Sequence, residues 1–181
     1  MGAPSSLILA CELVLGTLTN FFSALFLLRF FMQWRRISFR NQIGAFVMKL
    51  TDWAVKPLRR VIPGFRGLDW SCLLAVFFLQ LVDTALYLLL FQIRPPVEFI
   101  ALVALLKFLS AIVYLAMALI LLEVVFSWIN PQHPLAWTVR ELTAPLLRPI
   151  RRLLPPIAGF DLSPLVALLG FQVLLLFLQR P

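Results

Sequence analysis

Apolar residues run almost unbroken through four stretches, about Leu7 to Trp34, Asp69 to Ile93, Val97 to Ile129 and Ser163 to Arg180. Each reaches the roughly 18 residues that cross a hydrocarbon core about 30 Å thick. The third is longer than needed: at ~1.5 Å per residue it would reach ~50 Å, so it must tilt, kink, or begin as an interfacial segment before Lys107. Between the first and second stretches the pattern changes period. Ile43, Phe46, Val47, Leu50 and Trp53 recur at helical spacing within Asn41 to Arg60, with Asn41, Lys49, Asp52 and Lys56 at the other positions. A basic amphipathic helix of this kind lies in the membrane interface with its apolar face down. Leu135 to Leu154 repeats the pattern through Val139, Leu142, Leu146 and Leu153, and Pro145 and Pro149 are expected to kink or end that helix.

The second half also repeats the first in register. A shift of 92 residues superimposes Thr51 on Thr143, Pro57 on Pro149, Arg59-Arg60 on Arg151-Arg152 and Pro63 on Pro155. It continues through Gly67 and Gly159, Asp69 and Asp161, Ser71 and Ser163, and Gln80 and Gln172. Agreement at so many polar and turn-forming positions marks a duplication. Each unit reads as span, interfacial helix, span, with the units at 1–94 and 95–181. Two spans per unit is an even number, so both units enter the membrane in the same direction and form parallel repeats. The expected fold is an all-α membrane protein with four transmembrane helices in two parallel repeats, each carrying a cytoplasmic interfacial amphipathic helix.

Composition supports the membrane class, since 62% of residues are hydrophobic and only 13% charged, too few charges to cover a soluble domain. The net charge of +8 could suggest nucleic acid, but its distribution argues against that partner. Most basic residues fall in the two connections between spans, where the positive-inside rule places them in any case. That rule makes both connections cytoplasmic and leaves both termini outside. Trp34, Trp53, Trp70, Trp128 and Trp137 all fall toward the same interface, as an aromatic belt would. Cys11 and Cys72 lie near opposite ends of their spans and are not expected to pair.

Each connection closes on a similar device, KPLRRVIPGFRGLDWS from Lys56 and PIRRLLPPIAGFDLSP from Pro149. Arg59, Arg60, Arg151 and Arg152 lie where an interfacial helix ends, at the height of anionic headgroups, each contributing ~1 kcal/mol of attraction. The prolines stop the helix and the glycines permit a tight turn. Asp69 and Ser71, then Asp161 and Ser163, are placed to cap the next span. The arginines therefore read as lipid anchors, or as contacts for membrane protein partners.

The paired motif P-[LI]-R-R-x-[LI]-P followed by G-x-D-x-S resembles the signature of the YggT family, called YlmG in some bacteria and plastids. LLRFFMQW near the end of the first span and VFSWI near the end of the third are similar to family patterns. The two-copy arrangement resembles the longer proteobacterial members, and Trp53-Ala54 departs from the pattern where Pro145-Leu146 keeps it. The resemblance implies an inner-membrane protein linked to osmotic-stress tolerance, potassium uptake and cell division, with a plastid branch linked to haem attachment.

Charge inside a span costs at least ~2.5–3.5 kcal/mol at the bilayer centre, so Glu12, Arg29, Asp83, Lys107 and Glu123 stand out. Arg29 and Glu123 precede Trp34 and Trp128 by the same distance, which suggests an ion pair holding span one against span three. Gln80 and Gln172 are equivalent and could meet near the repeat axis. Asp83 has no charged partner at its depth, and Lys107 could snorkel to the outer headgroups. The Gln80, Asp83 and Gln172 set reads either as interhelical hydrogen bonding or as a polar cluster along an ion path.

An enzyme is not expected. His133 is the one histidine and sits in an Asn-Pro-Gln-His-Pro turn, and no phosphate loop, nucleophile motif, metal spacing or C-x-x-C-H is present, so no cofactor or metal is expected. Two classes remain. One is a scaffold or assembly factor binding anionic lipid and membrane proteins. The other is an ion-uptake protein or accessory subunit, which a narrow four-span bundle would need a homo-oligomer or a partner to complete.

Overall fold

The computed structural model of the chain describes residues 6–61, 64, 68–154 and 161–179. It is all-helical: α1 (Ser6–Trp34), α2 (Gln42–Val61), α3 (Trp70–Leu90), α4 (Val97–Ile129), α5 (Pro134–Leu153) and α6 (Ser163–Leu178). By length and composition α1, α3 and α4 can each cross a membrane. At 16 residues α6 is apolar but shorter, about 24 Å against a core of about 30 Å. The long α4 is one uninterrupted helix.

Two expectations about helix ends change. Pro57 lies inside α2, and Pro145 and Pro149 lie inside α5, without ending either helix. Each proline forfeits a backbone bond. Packing nevertheless continues on both sides of the prolines, because Val55 and Leu58 join the core from α2, while on α5 Leu142 and Leu147 are buried and Ile150, beyond Pro149, packs against Leu147 and its neighbours. Tertiary burial outweighs local propensity here. The prolines and glycines expected to make the following turns (Pro63, Gly67, Pro155 and Gly159) lie outside the described residues.

The ends of α1 and α3 share a termination that uses no glycine. After α1, the Ile37 N–H bonds to the Met32 carbonyl and the Arg36 N–H to that of Gln33, with Arg36 at φ 54°. After α3, Ile93 bonds to Leu88 and Gln92 to Leu89, with Gln92 at φ 56°. This is the Schellman arrangement, in a left-handed conformation that costs a non-glycine residue about 1–2 kcal/mol. Burial of Ile37 in the core helps to offset that cost after α1.

The core gathers Phe26, Leu27 and Met32 of α1, Val55 of α2, Cys72 and Val76 of α3, Leu115 and Leu119 of α4, and Leu142 of α5. Central α4 touches α1, α3, α5 and α6. The two halves are not packed equivalently: α3 lies against α1, α2 and α4, whereas α6 lies against α4 and α5. Large apolar side chains such as Leu13, Phe78, Leu122, Leu169 and Phe177 remain exposed along the long helices and α6. A surface of this kind is matched to lipid tails. All five tryptophans are exposed and lie at the end of the bundle that carries α2 and α5.

The connection from α1 to α2 passes close to the start of α2. A Cβ added at Gly44 would sit 2.5 Å from the Phe39 Cα and 2.7 Å from its carbonyl oxygen, both backbone atoms that cannot move aside cheaply. Gly44→Ala is expected to lower stability by about 1–3 kcal/mol, read as a lower melting temperature in detergent. An unchanged melt would contradict the close approach.

Candidate functional site

Where α1 and α4 meet the helices that follow them, each half of the chain builds a cluster of ion pairs. In the first half, Arg29 of α1 is buried, with a side chain 5% exposed. Its Nη1 donates to Thr51 Oγ1 at 2.6 Å and to Asp52 Oδ1 at 2.8 Å, both on α2. Its Nε lies 4.0 Å from Asp69 Oδ2, just ahead of α3. Arg59 near the end of α2 also reaches Asp69, with Nε donating to Oδ2 at 2.7 Å and Nη2 on the same oxygen. The Asp69 side chain is fully buried, so one carboxylate ties α1, α2 and the head of α3 together.

The second half places the same device at a shift of 92 residues, 94 for the first member, with one charge inverted. Glu123 of α4 occupies the position of Arg29, and Thr143 of α5, the counterpart of Thr51, donates its hydroxyl to Glu123 Oε2. Arg151, the counterpart of Arg59, divides its guanidinium between Glu123 Oε1 at 2.9 Å and Asp161 Oδ2 at 2.7 Å. A hydroxyl both donates and accepts, so threonine serves a cation in one half and a carboxylate in the other. The inversion is balanced locally. With arginine at 29, an additional carboxylate is needed, and Asp52 supplies it where the second half has Ala144.

This arrangement replaces the expected Arg29–Glu123 ion pair. The two residues do occupy corresponding positions, but each is held by the helix that follows it in sequence. The physical reason is distance along the fold: α2 and α5 bring opposite charges and hydroxyls directly over the ends of α1 and α4. A buried charge takes the nearest partner with good geometry.

The expected caps divide. Asp161 Oδ1 accepts the Ser163 N–H at 2.9 Å, a helix-capping bond at the head of α6. Asp69 holds the corresponding place before α3 but makes no side-chain capping bond. Its Oδ2 is taken by the arginines, and Oδ1 has no hydrogen-bond partner among the described residues. Ser71 and Ser163 are buried in the first turns of α3 and α6, and the Ser163 hydroxyl has no partner among the described residues. Of the two arginine pairs, Arg59 and Arg151 are used inside the clusters, while Arg60 and Arg152 are exposed.

The remaining polar candidates lie toward the other end of the bundle. Gln80 is buried and donates Nε2 to Ser23 Oγ on α1 at 3.2 Å, whereas Gln172 is exposed on α6, so the two amides do not meet. Their separation follows from the unequal packing of α3 and α6. Asp83 is not alone: Lys107 of α4 donates Nζ to its Oδ2 at 2.9 Å and also lies 5.8 Å from the centre of the Tyr87 ring. This corrects both the unpartnered Asp83 and the snorkelling Lys107. The pair lines a cavity of about 420 Å³ between α1, α3, α4 and the end of α6, bordered also by Glu12, Asn20, Gln80, Tyr114 and Gln179.

Sequence reasoning missed Asp52, Thr51 and Thr143 as members of the clusters. The signal was present in the 92-residue register, where threonine is kept while Asp52 stands opposite Ala144. His133, read as a turn residue, caps α5 by accepting the Leu135 N–H at Nδ1 and stacks on Phe126.

The carboxylate of Asp52 is held below its ordinary 3.8, first by the hydrogen bond from Lys56 and, against some burial, by Arg29. Burial pushes Asp161 up, but bonds from Ser163 and the Arg151 guanidinium outweigh it and the net shift is again downward. A lowered folded value means that the contribution to stability is complete above 3.8 and is lost as pH falls through the lowered value. Melting temperature should therefore hold on acidification to about pH 5 and fall below pH 4, less steeply in Asp161→Asn. The two paired carboxylates should also differ. Asp69→Ala strips the partner from buried arginine and should cost about 3–5 kcal/mol, while Asp161→Ala, at a half-exposed pair, should cost about 1 kcal/mol. Equal losses in thermal or denaturant melts would contradict the burial difference.

Comparison with known proteins bears on both halves of this construction. The CCB3/YggT family profile matches residues 8–90 and 102–181. The uncharacterized protein YggT of Escherichia coli K12 is 34% identical over 162 residues, covering 89% of this chain and 85% of that protein. An uncharacterized protein of Haemophilus influenzae is 30% identical over 169 residues, covering 93% and 88%. One from Pseudomonas aeruginosa is 32% identical over 165 residues, covering 89% and 84%. No solved structure matches significantly. With matches on both sides of the centre and relatives spanning most of its length, the chain belongs to the CCB3/YggT family.

Proposed function

We propose that this chain is a non-enzymatic scaffold of the bacterial inner membrane that gathers anionic lipid and membrane protein partners at its cytoplasmic face. In this reading α6 tilts little and spans a locally thinned bilayer as the fourth crossing. The units at 1–94 and 95–181 then lie parallel, with both connections cytoplasmic and both termini outside.

The observation that carries the reading is the fixing of α2 and α5 at one end of the bundle by buried ion pairs. What those helices leave outward is apolar and basic together: Phe46, Trp53 and Trp137 are exposed, and so are Arg60 and Arg152. Amphipathic helices with that surface lie on headgroups, aromatic rings at the acyl boundary and guanidinium groups on phosphate. Rigid attachment suits a platform, since a surface that must receive partners gains from being ordered beforehand. Family links to osmotic stress and cell division accord with a protein acting through the membrane and its other proteins.

The second reading, potassium uptake, has one observation in its favour, the cavity that Asp83 lines. The Lys107 ammonium, 2.9 Å from that carboxylate, opposes it by already occupying Asp83, the group on which the reading rests.

Reconstituted protein should associate with spin-labelled phosphatidylglycerol in preference to phosphatidylcholine. The Arg60→Ala/Arg152→Ala double variant should lose preference by a factor on the order of 5 per arginine, equivalent to ~1 kcal/mol each. Undiminished preference would oppose the scaffold reading. So would potassium flux into proteoliposomes that Asp83→Asn abolishes without loss of folded protein.

A further inference from the structure

The cavity at the end of the bundle away from α2 and α5 has a chemistry of its own. Its charged lining residues are Glu12, Asp83 and Lys107, so two carboxylates face one ammonium and the lining carries one net negative charge. Lys107 is committed to Asp83 at 2.9 Å. Glu12 has no ion-pair or hydrogen-bond partner among the described residues. A carboxylate with no partner in a mostly apolar cavity leaves a place for a positive group.

The size and walls say which cation. A volume of about 420 Å³ falls in the range of small-molecule sites and is far more than a bare metal ion fills. The walls are mostly apolar, with Leu15, Leu86 and Leu106 beside the rings of Tyr87 and Tyr114. The chain itself shows what such walls accept, because the Lys107 ammonium sits on a carboxylate and near a tyrosine ring at once. Glu12 and Tyr114 offer the same two features without a cation of the chain's own. Gly16, between Glu12 and Asn20 in the lining, faces open space, since a Cβ there would meet nothing within 4 Å.

We infer that this cavity binds an ammonium group, with Glu12 as its counter-ion and the tyrosine rings as its walls. Two sources present that chemistry, the headgroup of phosphatidylethanolamine and a free alkylamine such as ethanolamine. Lys107 stays with Asp83 and sets the upper limit of one added positive charge.

The test uses the whole purified chain in detergent. Native mass spectrometry with equimolar phosphatidylethanolamine and phosphatidylglycerol reads lipid retention, and equilibrium dialysis with radiolabelled ethanolamine reads the free amine. One equivalent of phosphatidylethanolamine retained, with no ethanolamine bound, assigns a lipid site; saturable ethanolamine binding assigns a soluble amine, and either supports the inference. Glu12→Gln and Gly16→Phe should each weaken the observed binding by about tenfold or more, while Leu169→Ala, on the exposed face of α6, should leave it unchanged. Gly16→Phe fills the space without touching a charge, so it remains informative if the Glu12 variant fails to fold. Retention of no phosphatidylethanolamine together with no saturable ethanolamine binding, or full binding by a folded Gly16→Phe protein, would overturn the assignment.

Discussion

A carboxylate with no access to solvent, Asp69, is the constraint on which the first half of this fold depends. It can be buried as an anion only if cations come to it, and two do, Arg59 from α2 and Arg29 from α1. Those cations belong to different helices, so satisfying one charge fixes three elements. The surrounding core of Phe26, Met32, Val55, Cys72 and Val76 then packs around an arrangement that electrostatics has already specified. A buried pair of this type adds little net stability over an apolar core, yet breaking it is costly, which makes it a means of choosing one geometry among several.

Duplication lets the two solutions to this problem be compared within one chain. Arg151 bridges Glu123 and Asp161, whereas Arg59 turns wholly to Asp69 because an arginine stands in the place of the glutamate. Asp52 then balances Arg29. The change is a charge inversion with a compensating second site, and a threonine stays beside the charge in both halves, accepting from Arg29 in one and donating to Glu123 in the other. Further contacts join the halves, with Arg35 reaching Glu141 at 3.1 Å and Asn41 donating to Thr138 at 3.1 Å, so α5 is held to the connection between α1 and α2. One end of the molecule is thus a cross-braced platform, while the other opens into a mostly apolar cavity that holds a few charged groups.

How much of this could be read from the sequence divides by the range of the interaction. Helix positions were legible because apolar runs and the change to helical spacing are local, and the 92-residue register showed which residues belong to the same device. Arg59 with Asp69 and Arg151 with Asp161 were visible as motif partners, but their mutual bonding was not, since a cap and an ion-pair acceptor look alike in sequence. Arg29 and Glu123 hold equivalent positions in the sequence, but equivalence does not make them partners. Depth estimates locate residues along the membrane normal and say nothing of which helix lies over them. For the same reason Lys107 was not matched with Asp83. The continuation of α5 through Pro145 and Pro149 was illegible because burial, which overrides proline, depends on the neighbours.

The central claim is that buried charge, more than apolar contact, holds α2 against the spans. Hydrogen–deuterium exchange of the chain in nanodiscs, comparing the natural protein with Arg29→Met, tests it most directly. Methionine keeps most of the apolar volume and removes the charge, so the account predicts that amides of residues 42–61 lose protection while those of α3 and α4 keep it. Unchanged protection across α2 would contradict the account and assign the attachment to apolar packing.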